Sequence, residues 1–346
     1  MDLGERIAAF SELGAELRRQ LSSKSSGANG LNEIIENQYL LNPWFTPGNV
    51  RMSLNAIADE LTSENLYKWM GRYQQPDNTL KPLRVGIIMA GNIPLVGFHD
   101  FLTVLITGNS IVAKLSSKDS TLMTCVKDIL CGIEPAFKDK ITFTDGNLEN
   151  YDVIIATGSD NSSRYFEYYF RNVPNIIRKN RNSIAVLDGR ESDEELALLG
   201  NDIFSYFGLG CRSVSKIFVP KDYNVGSLSR HWLSHEQVIN HTRYANNYDY
   251  NKAVFLVNRE QFFDTGFLLM KEDTKLASPV SVLHFEHYNS AEYIDSQITS
   301  LKNKIQCIIG HGHIPFGQAQ SPHLWDYADG TDTVEFLLKK NLAGIL

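Results

Sequence analysis

Short apolar runs, each closed by a polar turn and followed by a helical stretch, constrain this chain more than any other feature. RVGIIM at 84–89 turns through Ala90-Gly91-Asn92 into an apolar helix that carries Phe101 and Leu105. NSIVAKLSS at 109–117 precedes the helical DSTLMTCVKDIL, and YDVIIATGS at 151–159 ends in a Gly-Ser turn. Strands that alternate with helices pair in parallel, because the helical crossover returns the chain to the same end of the sheet. In a doubly wound sheet of this kind a ligand lies beyond the strand C-termini, where the polar turns collect. The alternation resumes with NSIAVLDG at 182–189, the helical SDEELALLGNDIFSYF and the strand SKIFVP, placing Cys211 at a helix-to-strand junction. From 252 onward KAVFLVN, SPVSVLHFE and KIQCIIGHG read as strands between helical patterns, a second α/β region.

The N-terminus differs. Leu3, Ile7, Phe10, Leu13, Leu17 and Leu21 recur at helical spacing, SSKSSGANG at 22–30 reads as a flexible link, and 31–41 is helical again. NPWFTPGNV breaks that helix at 42–50, and Leu54, Ile57, Leu61, Leu66 and Trp69 mark further helix. The expected fold class is therefore α/β, two doubly wound parallel domains behind an N-terminal helical segment. Its parts are 1–80, 81–180, 181–312 and a C-terminal segment, 313–346.

Composition narrows the function. With 346 residues, 43% of them hydrophobic, the chain can bury a large core. A net charge of −7 from 33 basic and 40 acidic residues presents no basic face, so neither nucleic acid nor an acidic membrane is an expected partner. The charged first twenty residues lack the apolar centre of a signal peptide, and no later run approaches a membrane span; a cytoplasmic protein is expected. Four scattered cysteines without a C-x-x-C pair predict reduced thiols, with Cys125, Cys131 and Cys307 as packing residues.

Each turn alone is ordinary turn chemistry, but their order along the chain resembles a shortened aldehyde dehydrogenase. Gly91-Asn92-Ile93-Pro94-Leu95 resembles the W-N-x-P-L segment of that superfamily, Ala113-Lys114-Leu115-Ser116-Ser117 its K-P-S-E, and Ala156-Thr157-Gly158-Ser159 its F-T-G-S. FGLGCRSVSKIFV resembles G-Q-x-C with the strand after it, and Ile314-Pro315-Phe316-Gly317 the late P-F-G-G. GNIPLVGFHDF, FGLGCRSVSKIFVP and GQAQSPHLWDYADGTDTVEFL together resemble the LuxC-type acyl-CoA reductase family, over roughly three quarters of the chain.

The resemblance implies a cofactor-binding domain at 81–180, a catalytic domain at 181–312, and a tail that returns to the cofactor domain or forms a homodimer contact. It implies Cys211 as the nucleophile, since a thiolate both attacks a thioester and leaves readily. Asn92 would hold the oxyanion with the Cys211 N–H. Lys114, Ser117, Gly158 and Ser159 would bind the cofactor's adenosine half and pyrophosphate. Where NAD enzymes of the superfamily carry a ribose carboxylate this chain has Ser117, followed by Lys118, which favours NADPH, with NADH as the alternative.

Departures matter as much. The glutamate with which hydrolytic relatives activate water is missing from Ile177-Arg178-Lys179-Asn180-Arg181, and the acid expected near the nicotinamide ribose is missing from Lys275-Leu276-Ala277-Ser278-Pro279. The basic residues Arg178, Lys179 and Arg181 read as a solvated face in preference to a site for coenzyme A phosphates. His99, His311, His313 and His323 are proton-donor candidates. HGHIPFG lacks an evident carboxylate partner and is not read as a metal site; Asp326, Asp329 and Asp332 do not reach the spacing of a calcium loop. The expected activity is reduction of an acyl-CoA or acyl-carrier thioester, a fatty acyl chain among the candidates, to an aldehyde. The alternative is a non-reductive acyl-binding or acyl-transfer protein.

Overall fold

A computed structural model describes residues 1–23, 30–73 and 82–343; most of the link expected at 22–30, and the end of the helical segment at 74–80, lie outside the described residues. The chain forms two compact units, one of Met1–Asn180 with His323–Leu346, the other of Arg181–Pro322.

The first unit opens with α1 (Leu3–Ser22), α2 (Leu31–Leu41), α3 (Pro47–Glu60) and α4 (Ser63–Met70). Asp2 and Glu5 close a capping box on α1, whose inward stripe of Ile7, Phe10, Leu13 and Leu17 is buried. The sheet follows: β1 (Arg84–Ile88), α5 (Phe98–Ile106), β2 (Ser110–Lys114), α6 (Ser120–Ile133), β3 (Ile141–Thr144), β4 (Val153–Thr157), α7 (Asp160–Tyr169) and β5 (Asn175–Arg178). The strands are parallel in the order β3-β2-β1-β4-β5, with Val85 opposite Ile111 on one side and Val153 on the other. The chain first moves outward from β1 to β3 and then crosses back to β4. The order thus reverses between β1 and β4, which makes their C-terminal ends the switch point of the sheet.

The second unit contains β6 (Asn182–Val186), α8 (Asp193–Phe204), β7 (Val214–Pro220), α9 (Thr242–Val257), β8 (Phe263–Asp264), β9 (Leu269–Glu272), β10 (Val282–Tyr288), α10 (Ala291–Leu301) and β11 (Ile305–Ile309). Its sheet runs β11-β6-β7-β10-β9-β8 and is parallel except for the antiparallel edge strand β8. The final helix, α11 (Thr333–Ala343), belongs to the first unit, where Leu324, Val334, Leu337 and Leu338 join its core.

Two departures from the sequence reading have simple causes. KAVFLVN is the end of helix α9, not a strand: over the longer window Tyr244, Tyr248, Asn251 and Phe255 are buried at helical spacing, while Leu256 and Val257 are exposed. Strands β3 and β5, ITFT and NIIR, were not anticipated, because four-residue edge strands carry too few apolar positions to display a period.

Candidate active site

At the switch point of the first unit the turns after β1 and β2 are built against each other. Met89 N–H donates to the Lys114 carbonyl at 3.1 Å, extending the pairing past the strand ends. A Cβ on Gly91 would stand 2.7 Å from Ser116 Cβ and 3.2 Å from Lys118 Cβ, so only glycine permits this approach. Asn92 follows on the exposed rim, and Leu95 closes the turn in the left-handed region at φ 57°, an unusual conformation for a buried leucine. Two side chains hold the turn from below. Ser53 Oγ donates to the Pro94 carbonyl at 2.8 Å, and Asp119 Oδ2 accepts the Leu95 N–H at 2.7 Å.

Lys114 ends β2 half-buried; Ser117 and Lys118 are exposed in the turn beyond it. The next acid in the chain, Asp119, is 2% exposed, and burial pushes its carboxyl up to about 8 against the opposing effect of the Leu95 N–H. Asp119 stands at the N-cap position of α6 yet makes no cap hydrogen bond. The sequence signal, an acid opening DSTLMT, suggests a cap; the side chain instead reaches the β1 turn. After β4, Ser159 does cap its helix, accepting the Ser162 N–H at 3.3 Å. A Cβ on Gly158 would meet Phe166 and Ser162 at 2.8 Å, so this glycine lets α7 start against the strand. The turns at 89–95 and 158–159 therefore flank the switch point, and the α7 N-terminus with its N–H groups opens there.

In the second unit Cys211 is half-buried in the turn before β7. Tyr206, Phe207 and Gly208 are all left-handed, at φ 53°, 57° and 75°. Two bulky residues in succession in that region store strain of about 1–3 kcal/mol each, which persists only where surrounding contacts enforce it. Phe207 packs on His241 with ring centroids 4.4 Å apart, and Tyr206 is buried. The turn itself closes through Ser213 N–H to the Gly210 carbonyl at 3.0 Å. Ser183 Oγ, at the start of β6 and fully buried, donates to the Cys211 carbonyl at 2.9 Å and lies 2.9 Å from Cys307 Sγ. Beside it Arg212 Nε donates to the Ala319 carbonyl, and the fully buried Asp202 of α8 accepts the N–H groups of Gly317 and Ala319 at 2.7 and 2.9 Å. The Ile314–Gly317 segment is thus latched to the helix that leads into the cysteine turn. None of the four cysteines is in a disulfide, and Cys131 and Cys307 are buried.

Several sequence-based assignments change. Arg178 is not solvated: it is buried at the end of β5, 2.6 Å from Asp100 Oδ1, and also donates to the Ala328 carbonyl and Thr333 Oγ1. Lys179 pairs with Glu167 on the surface, and Arg181 reaches the Ile305 carbonyl. His311 does have carboxylate partners, Asp188 at 3.0 Å and Glu195 at 3.1 Å, whose hydrogen bonds raise its pKa; Asp188, Glu191 and His311 bring their ligand atoms within 4.8 Å of one another. His99 contacts the Leu324 carbonyl at 2.8 Å and packs between Trp69 and Tyr327, with burial lowering its pKa. His323 lies 2.9 Å from Glu60, and His313 is exposed. Asp332 accepts the Glu335 N–H of its own turn and the hydroxyl of the sequence-distant Tyr73, and Asp326 accepts the His323 N–H, so both acids are engaged within the first unit. Among the described residues no helix is long and apolar enough to cross a membrane.

Aldehyde dehydrogenase 21 from Physcomitrella patens, solved with the reaction product succinate, is 12% identical and superposes with a TM-score of 0.69 over 98% of this chain and 84% of its own. An aldehyde dehydrogenase from Mycobacterium tuberculosis complexed with NAD+ is 13% identical, with a TM-score of 0.65 over 89% of this chain and 73% of its own. An NAD-dependent aldehyde dehydrogenase from Sinorhizobium meliloti is 12% identical, with a TM-score of 0.66 over 89% and 70%. At such identities the likeness establishes an aldehyde dehydrogenase-like fold and nothing finer. No curated protein matches the sequence. The family model for acyl-CoA reductase (LuxC) matches residues 54–229, about half of the chain and inclusive of the turns after β1, β2 and β4 and of Cys211. The chain belongs to the LuxC acyl-CoA reductase family and is an oxidoreductase of acyl groups on an aldehyde dehydrogenase-like fold.

Proposed function

We propose that the protein reduces an acyl-CoA thioester to an aldehyde, with Cys211 carrying the acyl group and NADPH as reductant. The Cys211 thiolate adds to the thioester carbonyl carbon, and the Cys211 N–H takes the developing oxyanion, a role in which the family resemblance also casts the Asn92 amide. The bond to sulfur of coenzyme A breaks, and the released thiolate takes a proton from solvent. NADPH, which Lys114, Ser117, Gly158 and Ser159 would hold, would supply a hydride to the carbonyl carbon of the acyl-enzyme. The Cys211 C–S bond then breaks, the aldehyde leaves and the thiolate is restored.

What carries this reading is that every residue given a role lies within the matched segment, 54–229. The architecture fits the cofactor: a parallel switch point flanked by glycine-bearing turns and a helix N-terminus suits a dinucleotide. Lys114, Ser117, Gly158 and Ser159 would hold it. Ser117 and Lys118 are exposed there, and Asp119 is turned inward onto Leu95, which leaves a 2′-phosphate without an opposing carboxylate on this turn. Hydrolysis is disfavoured because the segment at 177–181 contains no acid, and its Arg178 is committed to Asp100.

Purified protein mixed with decanoyl-CoA or tetradecanoyl-CoA and NADPH should consume the nicotinamide absorbance and release free coenzyme A and aldehyde in equal amounts. Cys211→Ala should do neither. An acyl adduct on Cys211 without NADPH consumption would favour acyl transfer instead, and turnover by Cys211→Ala would sink both readings.

A further inference from the structure

Packed against the turn that carries Asn92 is a buried carboxyl with no role in the chemistry above, Asp119 of the turn after β2. Asp119 Oδ2 accepts the N–H of Leu95 at 2.7 Å, while Oδ1, equally buried, has no hydrogen-bond partner among the described residues. A buried carboxyl with one satisfied oxygen is costly to keep, whereas an ordinary N-cap would satisfy it at the start of its own helix. The cost is reduced because burial holds the group largely as the neutral acid at neutral pH. What Asp119 secures is the left-handed conformation of Leu95, three residues beyond Asn92, at a point where Gly91 is already wedged against Ser116 of Asp119's own turn. The Asp119 N–H donates to the Ser116 carbonyl at 3.0 Å, so a single short turn grips both ends of Gly91–Leu95.

We propose that Asp119 is a positioning residue: by clamping the Leu95 amide it fixes the Gly91–Leu95 turn, and through it the Asn92 side chain, for oxyanion stabilisation. This rests on the reading of Asn92 given above. Asp119 touches no reacting atom. Its effect falls on the rate of the chemical step, since a donor displaced by a fraction of an ångström still permits substrate and cofactor to bind.

The test combines kinetics of Asp119→Ala, Asp119→Asn, Asn92→Ala and the double variant with amide hydrogen exchange over 91–95 of each holoenzyme. Asp119→Ala is expected to accelerate exchange at Leu95 and to lower kcat for decanoyl-CoA about 10- to 100-fold, with KM for both substrates within about twofold of wild type. Asp119→Asn, which keeps an acceptor for the Leu95 N–H, should recover most of that loss. In the Asn92→Ala background, Asp119→Ala should cost no more than about twofold further. Additive losses, a rise in KM at constant kcat, or unchanged exchange at Leu95 would overturn the clamp while leaving the role of Asn92 intact. Full activity of Asn92→Ala would instead remove the oxyanion reading, and the proposal with it.

Discussion

The hydroxyl of Ser183 donates to the main-chain carbonyl of Cys211 at 2.9 Å and accepts the N–H of Cys307 at 3.2 Å, tying the cysteine turn to the first residues of β6 and to β11. Ser183→Ala removes both hydrogen bonds made by a fully buried hydroxyl and should lose about 1–3 kcal/mol of stability. Chemical denaturation measures this directly, and the rate of Cys211 alkylation by iodoacetamide should change alongside it. An unchanged midpoint would show that the turn is held by other contacts.

Arg178 is a structural cation. Truncation to alanine strands the buried Asp100 and should cost about 3–5 kcal/mol, whereas replacing both partners by apolar residues, Arg178→Met with Asp100→Leu, should recover much of that loss. Unfolding curves of the single and double variants decide it. A variant of unaltered stability but weakened coenzyme A binding would instead make Arg178 a phosphate ligand.

Gly91→Ala should disrupt the paired turns, because its Cβ has nowhere to go against Ser116. Affinity for NADPH, read by fluorescence titration, should fall about tenfold or more as the switch point shifts. Gly132→Ala is the control: nothing lies within 4 Å of that site in α6, and the helix should gain about 0.4–1 kcal/mol.

Ser117→Glu places a carboxylate on the β2 turn, where it would accept ribose hydroxyls and repel a 2′-phosphate. The ratio of kcat/KM for NADPH to that for NADH should drop by about tenfold or more. Equal efficiency with the two cofactors in the wild type would remove the basis of the preference.

Stability should decline between about pH 6.5 and pH 8, above the range in which His99, His235 and His284, whose pKa values burial lowers, add stability as pH rises. Asp119 and Asp202 are pushed up from 3.8 to about 8 and about 6 by burial, so the folded chain keeps protons that the unfolded chain has released. Each contributes a slope of up to about 1.4 kcal/mol per pH unit within its own window, with stability falling as pH rises. His311 acts in the same direction: its partners Asp188 and Glu195 raise its pKa, a contribution complete below its ordinary value of 6.5 and lost as pH rises through the raised one. Thermal midpoints measured across this range should fall, and Asp119→Asn should flatten the upper part of the curve.

Much of the architecture was legible in residue order. β1, β2, β4, β6 and β7 announce themselves as apolar runs ended by Gly, Asn or Ser, because a parallel strand buried on both faces needs continuous apolar side chains and a turn to leave the sheet. KAVFLVN misled because seven residues are too short to separate a buried strand from the end of a helix. HGHIPFG concealed the partners of His311, since Asp188 and Glu195 lie more than a hundred residues away in the chain.

The same division runs through the candidate site. The identity of Cys211, Asn92, Lys114, Ser117, Gly158 and Ser159 as candidates follows from local motifs, since nucleophiles, amides and turn glycines are chosen by chemical type and near-neighbour spacing. Tertiary structure alone assigned the supports: Ser183 beneath Cys211, Asp119 beneath Leu95, Asp202 on the Gly317 and Ala319 amides, and Arg178 on Asp100. None of these forms a recognisable pattern, because a buried polar group is satisfied by whichever partner the packed fold brings within hydrogen-bond reach, and that partner can stand anywhere in the chain.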